Sequence, residues 1–89
     1  AALMGAYVAA KSAVIRITET MSAELRDRGI NVNCVLPTII DTPENRAAMP
    51  DADPARWVAP DDLANAIVFL ASNEARAVHG VALPVTGLG

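Results

Sequence analysis

The chain has 89 residues, 53% of them apolar but only 3% aromatic, and a net charge of −3 at pH 7. This is enough for one small domain or a piece of a larger one, and so short a chain buries a smaller share of its surface than a full-size domain. The dispersed charges leave no Lys/Arg cluster for nucleic acid or an anionic membrane. No apolar run is long enough to span a bilayer, and a single cysteine and a single histidine, Cys34 and His79, give neither a disulfide framework nor a Cys/His metal site.

The first residues, up to Lys11, lack the basic region and cleavage pattern of a secretion signal. With the lone cysteine read as a buried core thiol, a reducing, cytoplasmic setting is expected. The missing initiator Met raises the expectation that the chain starts partway through a gene product.

Residues 6 to 28 read as a helix. Ala6, Ala10, Val14, Ile17, Met21 and Leu25 recur at spacings of four and three and form one apolar stripe. Arg26 and Arg28 crowd the last turn, where cations suit the helix dipole, and Gly29 supplies a left-handed stop. The run "INVNCVL", residues 30 to 36, is β-branched and almost wholly apolar, which reads as a buried strand. Pro37 ends it. Residues 38 to 59 hold Pro43, Pro50 and Pro54 among scattered charges, with a short helix expected near 43 to 49. A connection of that length is usually functional.

The segment "PDDLANAIVFLASN", residues 60 to 73, reads as the next helix. Pro60 suits the first helical position, and Asp61 and Asp62 suit the positive end of the dipole. It is apolar on most sides, so burial on two faces is expected. The last strand is "VALPVTG", residues 81 to 87. Two apolar strands joined through a helix imply a parallel pair with a right-handed crossover. Parallel sheets are normally wider and covered on both faces, so the chain reads as one side of an α/β sheet.

The only tyrosine and the only lysine, Tyr7 and Lys11, lie four residues apart near the start. On a helix that spacing puts them one turn apart on one side. A phenol ordinarily ionises near pH 10. A neighbouring ammonium favours the phenolate, which lets such a group exchange a proton with a hydroxyl or carbonyl. The bland alternative is two polar residues on an ordinary helix. The small flanking residues Ala9, Ala10, Ser12 and Ala13 leave room for close approach of another molecule or helix.

From Gly5 to Gly87 the sequence resembles the C-terminal half of a short-chain dehydrogenase/reductase. The resemblance rests on "YVAAK", then "VNCVLP", then an apolar turn ending in Thr42, and a closing helix and strand that ends in Gly. It implies a Rossmann-type, doubly wound parallel sheet, of which residues 1–89 would carry the last two strands. It also implies an NAD- or NADP-dependent oxidoreductase acting on a small carbonyl or alcohol.

Tyr7 would then be the general acid/base, and Lys11 would favour its phenolate and hold the nicotinamide ribose. Pro37, Thr38, Ile39, Ile40 and Thr42 would lie along the nicotinamide. Backbone groups of Ile39 or Ile40 would bond the carboxamide, and Thr42 would bond the carboxamide or a phosphate. Thr38 departs from the glycine usual after that proline. The Gly-rich phosphate loop would precede Ala1, as would the family's serine, so the isolated 89 residues are expected to be inactive.

The loop 36–57 is similar to the corresponding stretch of dihydropteridine reductase, a divergent branch that also lacks the glycine. A C=N reductase is therefore the second reading. A third, of another class, is a non-catalytic truncated paralogue that only docks. The resemblance implies homodimers or homotetramers built through helices 6–28 and 60–73 and strand 81–86. Met49 reads equally as a pocket wall or a gap-filler. Trp57 reads first as packing under the loop and second as a pocket wall. Arg46 is expected to pair with Asp41 or Glu44, His79 to sit in a surface turn, and Asn31 and Asn33 to satisfy backbone groups.

Overall fold

The computed structural model describes residues 4–89. Helix α1 spans Gly5–Leu25 and tightens into a 3-10 turn over Arg26–Arg28. Gly29, at φ 73°, stops it: its N–H donates to the Arg26 carbonyl at 3.0 Å, and Ile30 N–H reaches back to Leu25 at 3.3 Å. This is a left-handed glycine terminus of the kind the sequence predicts. Strand β1 is Cys34–Pro37, shorter than the expected 30–36 and shifted toward its end. Asn31 and Asn33 explain the late start. Asn31 Nδ2 donates to the Ala75 and Val78 carbonyls at 3.0 and 2.9 Å. Asn33 donates to Val78 at 3.0 Å and accepts from Val81 N–H at 2.9 Å. The asparagines thus satisfy a turn 44 to 48 residues away, as expected, and the β-ladder begins only beyond them.

Helix α2, Pro43–Ala48, falls where a short helix is expected. A 3-10 turn, Pro54–Arg56, leads through Trp57 and Val58 into α3, Pro60–Leu70. Strand β2, Ala82–Val85, pairs with β1 in parallel, with Cys34 opposite Ala82 and Pro37 opposite Val85. A further parallel bridge joins Ile40 to Val58. The order is therefore helix, strand, loop with short helix, helix, strand, as the apolar pattern predicts. No helix among the described residues is long and apolar enough to cross a membrane.

Burial departs from the apolar pattern on both long helices, and the two-face burial expected of α3 is overturned. Most of the apolar stripe of α1 faces outward: Val14, Ile17 and Met21 are 41–56% exposed, and only its last member, Leu25, joins the packed face. The packed face is turned by about one residue, or roughly 100°. It runs Lys11, Ile15, Thr18, Ser22 and Leu25, with Thr18 and Ser22 buried. The physical reason is close approach. An added Cβ on Gly80 would lie 3.1 Å from Ser22 Oγ, so only small side chains fit there. Thr18 meets its hydroxyl's needs locally, donating to the Val14 carbonyl at 2.7 Å. Helix α3 likewise turns only Leu63, Ala66 and Leu70 inward and leaves Ile67, Val68 and Phe69 exposed.

Cys34 is half-buried rather than enclosed. It lines an open groove of ≈ 280 Å³ with Val35, Ile67 and Leu70. His79 is half-buried too, with its Nδ1 shut off from solvent and unpaired. Among the described residues the fully buried apolar ones are Val58 and Ala75. Val58 is held from both sides, donating to Ile39 at 2.9 Å and accepting from Asp41 N–H at 2.8 Å.

Candidate active site

Tyr7 and Lys11 stand one turn apart near the start of α1, on the same stripe as Thr18 and Ser22. Tyr7 is 54% exposed and Lys11 is half-buried. Lys11 Nζ lies 5.3 Å from the centre of the Tyr7 ring, within the range of a cation–π contact. Among the described residues neither side chain makes a hydrogen bond or ion pair, so the phenol oxygen and the ammonium both keep their capacity for a ligand.

Chain topology sets where this pair lies relative to the strands. The end of α1 leads back through Gly29 into β1, and Ser22 packs beside Gly80, just before β2. From Ser22 back to Tyr7 the helix axis runs roughly 22 Å, longer than the roughly 16 Å from Gly80 to the end of β2. Tyr7 therefore sits level with or beyond the C-terminal strand ends. In open parallel α/β sheets ligands bind outside those ends.

The segment after β1 emerges at the same end. Thr38 N–H donates to Val85 at 3.2 Å, and Thr38 Oγ1 donates to the Thr86 carbonyl at 3.1 Å. The Ile39 carbonyl is taken by Val58. The Ile40 carbonyl accepts from Asn45 Nδ2 at 2.8 Å and keeps one lone pair. The N–H groups of Ile39 and Ile40 are not hydrogen-bonded among the described residues.

Thr42 caps α2, its Oγ1 accepting from Asn45 N–H at 3.2 Å, which leaves the hydroxyl proton free to donate. Pro37, Thr38, Ile39, Ile40 and Thr42 are thus one continuous ledge at the mouth of the sheet, fixed by main-chain bonds on both flanks. Asn45 was given no role by the sequence pattern. Thr42 before Pro43 is legible as an N-cap, but the Asn45 side chain donates to Ile40 instead of accepting from the Thr42 N–H, so no capping-box pattern signals it.

Asp41 and Arg46 form a two-pronged ion pair, 2.7 Å from Nε to Oδ1 and 2.9 Å from Nη2 to Oδ2. Arg46 therefore pairs with Asp41, one of its two expected partners. Its guanidinium hydrogen-bonds the carboxylate and holds Asp41 below the usual carboxylate range. A folded-state pKa below the unfolded one means the contribution is complete above about pH 5, a unit over the unfolded value. It is lost as pH falls through the lowered folded value. Asp41→Asn is therefore expected to leave a stability gap that is constant near neutral pH and closes in acid. Urea midpoints for parent and variant across pH 2.5 to 7 (an interval set by about the ordinary Asp value) check this. A gap that widened in acid would reject the assignment.

Trp57 and Met49 separate. Trp57 is half-buried and lines a cavity of ≈ 280 Å³ with Thr38, Ile39, Asp53, Arg56 and Gly89. Met49 is not among its lining residues; its backbone serves the turn after α2. No group of three or more potential metal ligands exists among the described residues.

Comparison with known proteins agrees with this architecture. Residues 2–87 match a family model described as enoyl-(acyl carrier protein) reductase. The chain is 42% identical to a 3-oxoacyl-[acyl-carrier-protein] reductase of Vibrio harveyi, over 91% of this chain and 36% of that one. A structure of an oxidoreductase of the short-chain dehydrogenase/reductase family from Burkholderia thailandensis superposes with a TM-score of 0.81 and 34% identity, covering 98% of this chain and 39% of that one. Carveol dehydrogenase from Mycobacterium avium, solved in complex with NAD, gives a TM-score of 0.75 and 36% identity over 91% of this chain and 38% of that one. The chain thus spans little more than a third of the length of these relatives.

Proposed function

The chain belongs to the short-chain dehydrogenase/reductase family, and from that premise we propose that it is the C-terminal half of a single-domain NAD(P)-dependent oxidoreductase for small carbonyl or alcohol substrates. The observation that carries this reading is the shared location of two unsatisfied sets of groups. The Tyr7–Lys11 pair and the Thr38–Thr42 ledge both lie at the C-terminal ends of the strands.

The residues fit a nicotinamide nucleotide. Free N–H groups at Ile39 and Ile40, a carbonyl lone pair at Ile40 and the Thr42 hydroxyl proton suit a carboxamide, which has both donors and an acceptor. The uncommitted Lys11 ammonium suits ribose hydroxyls. The nicotinamide supplies or accepts the hydride. Tyr7 donates its phenol proton to the oxygen of a carbonyl being reduced, or takes it back from an alcohol. Lys11, one turn away, stabilises the phenolate left after donation. The ledge is anchored by Val58, Val85 and Asn45, so it offers its N–H groups without first having to be ordered.

The isolated 89 residues lack any counterpart to a dinucleotide phosphate loop and are inactive under this proposal. A cytoplasmic setting and assembly as a dimer or tetramer belong to it as well. The exposed Val14, Ile17 and Met21 of α1 and Ile67, Val68 and Phe69 of α3 support such contacts. They equally support the docking-only reading.

One assay separates the two. The full-length protein is given NADH or NADPH with a panel of a 3-oxoacyl ester, a cyclic ketone and quinonoid dihydropterin, and loss of nicotinamide absorbance is followed. Turnover of the ester or the ketone is the expected result. Turnover of the pterin alone would move the protein to C=N reduction. Cofactor binding without any turnover, in a stable oligomer, would leave the docking role.

A further inference from the structure

We infer that Arg56 is a positioning residue, holding the segment Thr86–Gly89 as a strap that fixes the Trp57 wall of the ≈ 280 Å³ cavity against the Thr38–Ile39 ledge; this rests on the function proposed above. The segment follows β2 and turns back across the loop. Arg56 Nη2 donates to the Leu88 carbonyl at 2.7 Å, while Leu88 N–H donates to the Arg56 carbonyl at 3.1 Å. The two residues thus clasp each other through side chain and main chain. Gly89 N–H closes the turn on the Thr86 carbonyl at 3.1 Å. That same Thr86 carbonyl accepts the Thr38 hydroxyl at 3.1 Å. The strap is therefore fastened at one end to the ledge and at the other to the base of the long loop.

Gly87 lets it lie flat. Its φ is 59°, and an added Cβ would sit 2.8 Å from the Trp57 carbonyl oxygen and 3.1 Å from that of Arg56. The backbone on both sides of the Trp57 side chain is thus in direct contact with the strap. Trp57 and Ile39 are the large apolar residues lining the cavity, and the bonds between Arg56 and Leu88 tie the Trp57 backbone to the strap. Thr38 gains a purpose here as well. A glycine at that place could not fasten the strap, and the hydroxyl can.

The inference distinguishes Arg56 from a generic surface arginine. Its side chain is exposed and forms no ion pair among the described residues. Its bond is to a carbonyl, so salt should not weaken it as it would a surface ion pair. A guanidinium offers several donors in a fixed fork, whereas lysine offers a single mobile head. Lysine is thus expected to restore the bond in part and methionine not at all.

The test uses full-length protein in four forms: parent, Arg56→Met, Arg56→Lys and, as a second break in the strap, Thr38→Val. Hydrogen–deuterium exchange of the peptides covering 38–41, 56–58 and 86–89 is measured alongside kinetics on the best-reduced member of the panel. Faster exchange in all three peptides is expected for Arg56→Met and Thr38→Val. Arg56→Met should also raise substrate KM by about three- to tenfold, the span of one lost hydrogen bond. Its effect on kcat should be smaller, and Arg56→Lys should recover part of the loss.

Unchanged exchange in the 86–89 and 56–58 peptides would overturn the strap. Altered exchange with unchanged KM would overturn its role in shaping the cavity. A parent that reduces nothing in the panel would sink the proposed function, and the exchange comparison would still decide whether the strap exists.

Discussion

Tyr7→Phe in the full-length protein is expected to lower kcat by about 10²- to 10⁴-fold, the contribution of a positioned acid/base group, while cofactor binding stays near that of the parent. The substitution is clean because it removes the phenol oxygen and keeps the ring. Lys11 Nζ lies 5.3 Å from that ring's centre, and this contact survives in phenylalanine. Among the described residues no hydrogen bond to the phenol is lost, so no partner is stranded. Stability should hardly change, since Tyr7 is more than half exposed.

Lys11→Met is the informative companion. Lysine is assigned both the phenolate and the ribose, so its loss should lower kcat and weaken nucleotide binding together. Nucleotide fluorescence titration and initial rates separate the two effects. Full turnover in Tyr7→Phe would remove Tyr7 from the chemistry, and intact binding in Lys11→Met would remove the ribose role.

The sequence disclosed the order of elements because each carried its own local signal. Gly29 marks the end of α1, Pro60 and its two aspartates mark the start of α3, and β-branched runs mark both strands. It disclosed the Tyr7–Lys11 pair because helical spacing alone brings the two together. It misdirected on α1, where most of the apolar stripe faces outward. Hydrophobic periodicity reports a face that some surface must cover, and it does not say whether that surface lies in the same 89 residues. The face that packs here carries Thr18 and Ser22, which closeness to Gly80 selects for size rather than for apolarity.

The strap was illegible for a different reason. The bonds from Arg56 to Leu88 and from Thr38 to Thr86 span 32 and 48 residues. Nothing in a one-dimensional pattern joins them. Asn45 lies between these cases, since its capping role is local but its bond to Ile40 depends on how the ledge bends.

Gly80 and Gly29 share a φ of 73°, and that coincidence turns two alanine substitutions into a measurement of one contact. At Gly29 an added Cβ meets nothing within 4 Å. Gly29→Ala should therefore cost only the left-handed backbone penalty, about 1–2 kcal/mol, and Gly29→Asn less, since asparagine tolerates that region. At Gly80 the same Cβ would stand 3.1 Å from Ser22 Oγ and 3.3 Å from Ser22 Cβ. Ser22 is fully buried in the middle of the packed face of α1 and has little room to retreat. Gly80→Ala should add an overpacking cost of about 1–3 kcal/mol, for a total of about 2–5 kcal/mol.

Urea midpoints on the full-length protein, with unchanged slopes, would read the difference. Ser22→Ala removes the nearer of the two clashing atoms, so the double variant should be less unstable than the sum of the singles. Equal destabilisation at Gly29 and Gly80 would show that the backbone alone sets the cost and that α1 is not held to β2 through this contact. Because Gly80 lies at the end of the sheet opposite the Tyr7–Lys11 pair, the folded fraction of Gly80→Ala should keep its cofactor affinity. That outcome would separate what fastens α1 to the strands from what its first turns do.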